Sequence, residues 1–137
     1  MVDVLKVKKQ DLDRLHQHAE KFLPKEAVAL LFGSVHERIV TIDRIEFVEN
    51  ILDSSTSFAV EPMTQYRLLM DADKRGQELV CIFHSHPGKP RPSGRDRENM
   101  NLNPVIWLIA SKKNETWESH AFLLEGGHIK QVEVKRV

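Results

Sequence analysis

Two histidines end an apolar run in the segment CIFHSHPGKPRPSGRD, which extends from residue 81 to residue 96. Successive side chains of a strand point to opposite faces, so His84 and His86 share one face, about 6–7 Å apart at Cα. Two imidazoles in this arrangement can bind one metal ion, and zinc accepts imidazole nitrogen at about 2.0–2.1 Å. The pattern therefore predicts a metal site, although a pair of histidines alone is more often ordinary surface or hydrogen-bonded core.

The loop after the histidines supplies a hydroxyl and a carboxylate, those of Ser93 and Asp96. Catalytic zinc sites usually have three protein ligands and leave the fourth position to water, whose pKa zinc lowers to about 7. The prolines of PGKPRPS restrict the loop, so it can bring Asp96 back over the end of the strand as a third ligand. Ser-x-x-Asp is also the spacing of a capping box at a helix start, and the two interpretations are compatible.

The elements that position these residues follow from hydrophobic periodicity and from proline and glycine. Helices are predicted at 11–22, before Pro24, at 62–74, before Gly76, and from about Ser93 onward. An edge strand is predicted at 3–8, and buried strands are predicted at 27–35, 78–83 and 104–111. A long strand or hairpin is predicted at 37–50, and a C-terminal hairpin should turn at Gly126-Gly127. This order indicates an α/β fold, one mixed sheet flanked by helices, in a single domain spanning residues 1–137.

Bulk composition narrows the class of protein. A chain of 137 residues can bury one substantial core, and its 20 basic residues balance 20 acidic ones, so net charge gives no support for nucleic-acid binding. No apolar run approaches the ~20 residues that span a bilayer, and the single cysteine, Cys81, suits a reducing compartment. We therefore expect a cytoplasmic protein that binds neither nucleic acid nor membrane, and the sequence leaves open whether it forms a homodimer.

The run HSHPGKPRPSGRD resembles the JAMM metalloprotease signature of the MPN domain family: His-x-His-Pro, a spacer, then Ser-x-x-Asp, with a glutamate upstream. LPKEAVALLFGS is similar to the segment that carries that glutamate, and VEPMTQYRLLMDADKRGQELVCIFHSHP resembles the stretch before the histidines in compact prokaryotic members. The resemblance covers about residues 10–124. The spacer between the second histidine and the serine has six residues here, whereas the family commonly has seven.

The resemblance implies a cytidine-deaminase-like MPN fold with Zn²⁺ bound by His84, His86 and Asp96. It also implies that Glu26 is the general base and that Ser93 stabilises the oxyanion, although a glutamate after Pro-Lys is by itself usually a solvated charge. The activity implied is that of a deubiquitinase-like isopeptidase or peptidase. It would act at the C-terminal tail of ubiquitin, of a ubiquitin-like modifier or of a sulfur-carrier protein.

Residues 54–60, SSTSFAV, could pair with such a tail as an added strand, in which case substitution of Phe58 raises KM. A plain connecting loop is an equally good interpretation of this segment. Two other functions remain open: a non-catalytic MPN scaffold, which the intact set of four candidate residues disfavours, and a JAMM-like domain associated with DNA repair, which the neutral charge disfavours.

Overall fold

The structure is a computed structural model that describes residues 2–137. Within these residues the chain alternates strands and helices. In chain order the elements are β1 (Val4–Val7), α1 (Lys9–Phe22), β2 (Val28–His36), β3 (Ile39–Val48), α2 (Pro62–Lys74), β4 (Glu78–His86), α3 (Gly94–Leu102), β5 (Ile106–Lys113), β6 (Thr116–Glu125) and β7 (His128–Arg136). None of the helices formed by the described residues has the length and apolar character needed to cross a membrane.

The strands form one mixed sheet in the order β1-β3-β2-β4-β5-β6-β7, and the sheet closes on itself as a barrel. Closure occurs at β1, where Val4 pairs in parallel with Ile39 on one side and with Glu133 on the other. The prediction of an edge strand at 3–8 is therefore wrong, because both edges of β1 are hydrogen-bonded. Alternating burial along β1 shows that one face is in the core, but it does not reveal how many neighbours a strand has.

The predicted α/β architecture, a mixed sheet flanked by helices, is confirmed. Along β2 alternate residues enter two different clusters: Ala29 and Leu31 join the cluster that includes α1, while Val28 and Leu30 join the one that includes Ala72 of α2. Residues of β2 are therefore buried on both faces, as the uninterrupted apolar run predicts. The second cluster also contains Met100 of α3 and Trp107 of β5, and this is the face on which His84 lies.

Three glycines at two points of the sheet show how the strands are joined. The predicted C-terminal hairpin is confirmed: Glu125 pairs with His128 across Gly126 and Gly127, which have φ values of 55° and 79°. At Gly33 the register of β2 and β3 shifts, and a Cβ there would lie 1.9 Å from the carbonyl oxygen of Thr41. A glycine is required at this point because β3 approaches the β2 backbone too closely for any side chain.

Candidate metal centre

The two histidines lie at the end of β4, between β2 and β5, with His84 fully buried and His86 mostly buried. Ser85 points to the opposite face, as strand alternation requires. Its N–H donates to the carbonyl oxygen of Ala27 at 3.0 Å, and its Oγ accepts from the N–H of Ala27 at 2.8 Å. Ser85 therefore joins the histidine strand to the residue that follows Glu26, a role that no local sequence pattern indicates.

The loop after β4 returns to the strand and begins α3 at Ser93. Ser93 Oγ accepts from the N–H of Asp96 at 3.1 Å, and Asp96 Oδ2 accepts from the N–H of Ser93 at 2.9 Å, so the predicted capping box is present. The same carboxylate faces both imidazoles, with Oδ1 3.3 Å from His84 Nε2 and Oδ2 2.8 Å from His86 Nε2. The capping role and the contact with the histidines therefore coexist in one carboxylate.

Three potential ligand groups converge on one point. The Nε2 atoms of His84 and His86 are 3.0 Å apart, and each is within 3.3 Å of an Asp96 oxygen. Ligand atoms at about 2.0–2.1 Å from a tetrahedral ion lie about 3.3 Å from one another, so the donor spacing fits a single small cation. His86 Nδ1 donates to the carbonyl oxygen of Lys89 at 3.1 Å, so Nε2 is the nitrogen that faces the cluster and, in the neutral ring, is free to bind a metal.

Glu26 completes the cluster from the segment between α1 and β2. Its Oε2 lies 4.0 Å from His86 Nε2, and one donor atom each from Glu26, His84 and His86 lie within 4.8 Å of one another. The side chain is only 3% exposed, and its Oε1 has no hydrogen-bond partner among the described residues. Burial raises the pKa of Glu26 to about 7, with smaller opposing effects from the charges of His86 and Asp96.

The charge states of the other three groups differ from that of Glu26. Burial acts to raise the pKa of Asp96, but hydrogen bonds from His84 and His86 outweigh it, so the pKa lies below its usual range. Burial lowers the pKa of His84, which favours the neutral imidazole that binds metals. Burial also acts to lower the pKa of His86, but the hydrogen bond to Asp96 and its charge raise it. The cluster thus combines an ionised carboxylate with a second carboxyl group that exchanges a proton near neutral pH.

Asn50 organises the loop beside Glu26, and no spacing in the sequence indicated this. Its Nδ2 donates to the carbonyl oxygens of Glu26 and Ser57, both at 3.0 Å. Its Oδ1 accepts from the N–H groups of Leu52 and Ala59, both at 3.1 Å. One side chain therefore connects the Glu26 backbone to the segment 54–60.

An aromatic wall of Phe58 and Trp107 encloses the His84 ring. The Phe58 centroid is 4.8 Å from that of His84, and the Trp107 centroid is 5.5 Å away in an edge-on arrangement. Trp107 itself is buried in the core. Segment 54–60 contains no strand, and its Phe58 side chain is half-buried against the metal site. The sequence-based hypothesis gives Phe58 a role in substrate binding, whereas the structure shows its ring packed on a candidate ligand.

The chain is similar in sequence and in fold to several known proteins. The family described as prokaryotic homologs of the JAB domain matches residues 8–123. The chain is 38% identical over 91 residues to a desampylase of Pyrococcus furiosus, in a match that covers 66% of this chain and 62% of that protein. It is 30% identical over 126 residues to a probable TtuB-protein conjugate cleaving protease of Thermus thermophilus, covering 90% of this chain and 78% of that protein.

The match therefore spans less than two thirds of the length of the Pyrococcus relative. Among solved structures, a protein of Desulfitobacterium hafniense superposes with a TM-score of 0.84 at 26% identity, covering 98% of this chain and 92% of that one. A protein of Salinibacter ruber superposes with a TM-score of 0.71 at 20% identity, covering 99% of this chain and 92% of that one. At this identity the similarity concerns the fold alone.

Proposed function

The chain belongs to the prokaryotic homologs of the JAB domain, and on that premise we propose that it is a zinc-dependent isopeptidase. Its substrate would be a conjugate in which the C-terminal tail of a ubiquitin-like modifier or sulfur-carrier protein is joined to an amine. Two relatives with similar sequences, named as a desampylase and as a probable TtuB-protein conjugate cleaving protease, support this substrate class. The convergence of His84, His86 and Asp96 beside the buried Glu26 is the observation that carries the proposal.

We assign the metal to His84, His86 and Asp96. Glu26 is the alternative third ligand, but its nearest oxygen is 4.0 Å from His86 Nε2, against 2.8 Å for Asp96. Asp96 is also the carboxylate whose pKa is lowered, and a metal ligand must be ionised. A set of two imidazoles and one carboxylate is typical of catalytic zinc and leaves one coordination position open.

When bound, zinc would supply a water of lowered pKa and polarise the scissile carbonyl group. Glu26 suits the role of base because a pKa of about 7 allows it to accept a proton and return it to the leaving amine near neutral pH. The Ser93 hydroxyl accepts a hydrogen bond in the cap, which leaves its own proton available to donate to a developing oxyanion. The buried walls around His84 exclude bulk water from one side of the reaction.

The tail would lie along residues 54–60. The N–H of Ala59 donates to Asn50 Oδ1, and the carbonyl oxygen of Ala59 accepts from the N–H of Ile51. In an extended segment the backbone groups of alternate residues point to opposite edges. In the described part of the chain no hydrogen bond uses the backbone of Phe58 or Val60, so the other edge can pair with an extended peptide. A tail that ends in Gly-Gly suits the position because it brings no side chains into the narrow approach to the metal.

The decisive experiment combines elemental analysis with hydrolysis of an isopeptide-linked conjugate whose modifier ends in Gly-Gly. We expect about one zinc per chain and measurable hydrolysis for the native protein. The matched variant Glu26→Gln keeps all three proposed ligands, so it should retain zinc while kcat falls at least ~10²-fold. Hydrolysis by Glu26→Gln at the native rate would refute the assignment of the base, and metal-free protein that remains active would refute the proposal as a whole.

We also propose a cytoplasmic location, because the single cysteine is buried in the core and forms no disulfide. A homodimer is the proposed oligomeric state. It rests on an apolar stripe on α2, where Met63, Tyr66 and Met70 are each at least 43% exposed at helical spacing. Sedimentation analysis of native protein and of Tyr66→Glu would test it, since the variant should shift a dimer toward monomer.

A further inference from the structure

A groove borders the metal centre on the side of β5 and β6, away from Glu26. His86 is in register with Ser111 of β5, and Ser111 is in register with Glu118 of β6. Residues in register on neighbouring strands point to the same face, so these side chains extend the face that carries the histidines. The groove has a volume of about 600 Å³, and Lys89, Pro90 and Arg91 of the loop after β4 form its opposite wall.

The groove carries an excess of positive charge. Lys89, Arg91 and Lys113 are exposed along it, and none of the ion pairs within residues 2–137 involves them. Glu118 is the one acid among the lining residues that the structure describes. Lys112 also borders the groove, but its Nζ turns to the other face and pairs with Glu20 of α1 at 2.8 Å. The net balance is therefore three free cations against one carboxylate.

The cavity that Glu26 lines has the reverse character. A second cavity of about 570 Å³ lies next to β3 and contains Glu26, Glu49 and Asp53. Lys25 is the basic residue that lines it, apart from His18, and it pairs with Asp53 at 2.7 Å. The cavity at Glu26 and the groove beside His86 thus differ in electrostatic sign.

We infer that the basic groove binds the acceptor part of the conjugate, and that it selects lysines flanked by acidic residues. This inference rests on the proposed function, in which the modifier tail occupies residues 54–60 on the other side of the histidines. A Gly-Gly tail has no side chains that need a groove of this volume, whereas a peptide around a modified lysine does. His86 Nδ1 donates to the backbone carbonyl oxygen of Lys89 at 3.1 Å, which places this residue beside the metal centre, so selection would act next to the scissile bond.

The test uses one modifier joined to acceptor peptides that differ only in the residues flanking the lysine, acidic in one and basic in the other. The native protein should show a higher kcat/KM for the acidic acceptor. The ratio of kcat/KM for the acidic acceptor to kcat/KM for the basic acceptor should fall about tenfold in Lys113→Glu and stay unchanged in Lys113→Arg. Lys9→Glu, a charge reversal outside the groove, is the control and should leave the ratio unchanged.

Two further measurements separate the possible causes of failure. Raising the ionic strength from about 0.05 to about 0.5 M should lower the native ratio, since exposed charges are screened. Fluorescence anisotropy of the acidic peptide alone reports binding without turnover, so weaker binding by Lys113→Glu would support the groove even if no conjugate were hydrolysed. The inference is overturned if Lys113→Glu leaves the ratio and the anisotropy unchanged. The inference is also overturned if Lys113→Glu lowers kcat/KM by the same factor for a modifier that carries a dye in place of the acceptor. That result would mean that the groove binds the modifier and not the acceptor.

Discussion

The ring of Phe58 packs on the ring of His84 with their centroids 4.8 Å apart, although the two residues come from different parts of the chain. Phe58 belongs to the loop before α2, and its ring also lies 5.7 Å from that of Trp107. A candidate metal ligand is thus packed between two aromatic side chains, and its Nδ1 has no hydrogen-bond partner among the described residues.

Phe58→Ala should weaken zinc binding about 10- to 100-fold, since groups that orient a metal ligand contribute on this scale. The affinity is measured by competition with a chromophoric chelator. Phe58→Leu, which preserves most of the buried volume, should fall between the native protein and the alanine variant. Unchanged zinc affinity with a raised KM would restore the expectation from sequence that Phe58 serves only the substrate.

Asn50→Ala should lower the free energy of unfolding by about 2–4 kcal/mol, because four hydrogen bonds within the loop are lost at once. It should also lower kcat, since the Glu26 backbone loses its support, while zinc stays bound on β4 and α3. Asn50→Asp is the matched variant, as it keeps both acceptor bonds and loses both donor bonds. Urea unfolding and a zinc assay distinguish these effects, and an alanine variant of native stability would contradict this assignment.

Ser93 should show two separable effects. Ser93→Ala removes the helix cap, at about 1 kcal/mol, and the proposed oxyanion donor, at about 3 kcal/mol or ~10²-fold in kcat. Ser93→Asp retains a capping acceptor but cannot donate, so it should recover stability without recovering rate, and Ser93→Thr should retain both. If Ser93→Ala lost stability alone, with kcat unchanged, the residue would be a cap and nothing more.

Glu26 makes the stability of the metal-free protein depend on pH. In the unfolded chain its carboxyl group ionises near the ordinary pKa of 4.5, whereas in the folded protein burial raises the pKa to about 7. Between these values the unfolded state binds fewer protons, so the contribution of Glu26 to stability is present below pH 4.5 and is lost as pH rises through 7.

Glu26→Gln cannot ionise, and the variant should therefore gain stability relative to the native chain over the same interval. The gain should be on the order of 3 kcal/mol from about pH 4.5 to 7. Unfolding by urea in the presence of a chelator, at several pH values, measures the difference between the two proteins. A difference that stays constant across the interval would show that Glu26 is not desolvated in the metal-free fold.

Local sequence patterns were sufficient for the parts of the site that depend on residues a few positions apart. Strand alternation predicts that His84 and His86 share a face, and the Ser-x-x-Asp spacing predicts the cap that begins α3. Both rules operate within two or three residues, so they need no knowledge of the rest of the fold. The two helices at 11–22 and 62–74 and the turn at Gly126-Gly127 follow from equally local signals.

Only the tertiary structure brings Glu26 within 4.0 Å of His86, turns Asn50 toward the Glu26 backbone and seats Phe58 on His84. It also places β1 between two partners and aligns Ser111 and Glu118 with His86 to form the basic groove. These relationships depend on which strands pair and in which register. A shift of one residue would move every side chain to the other face, and no short pattern in a single chain specifies that choice.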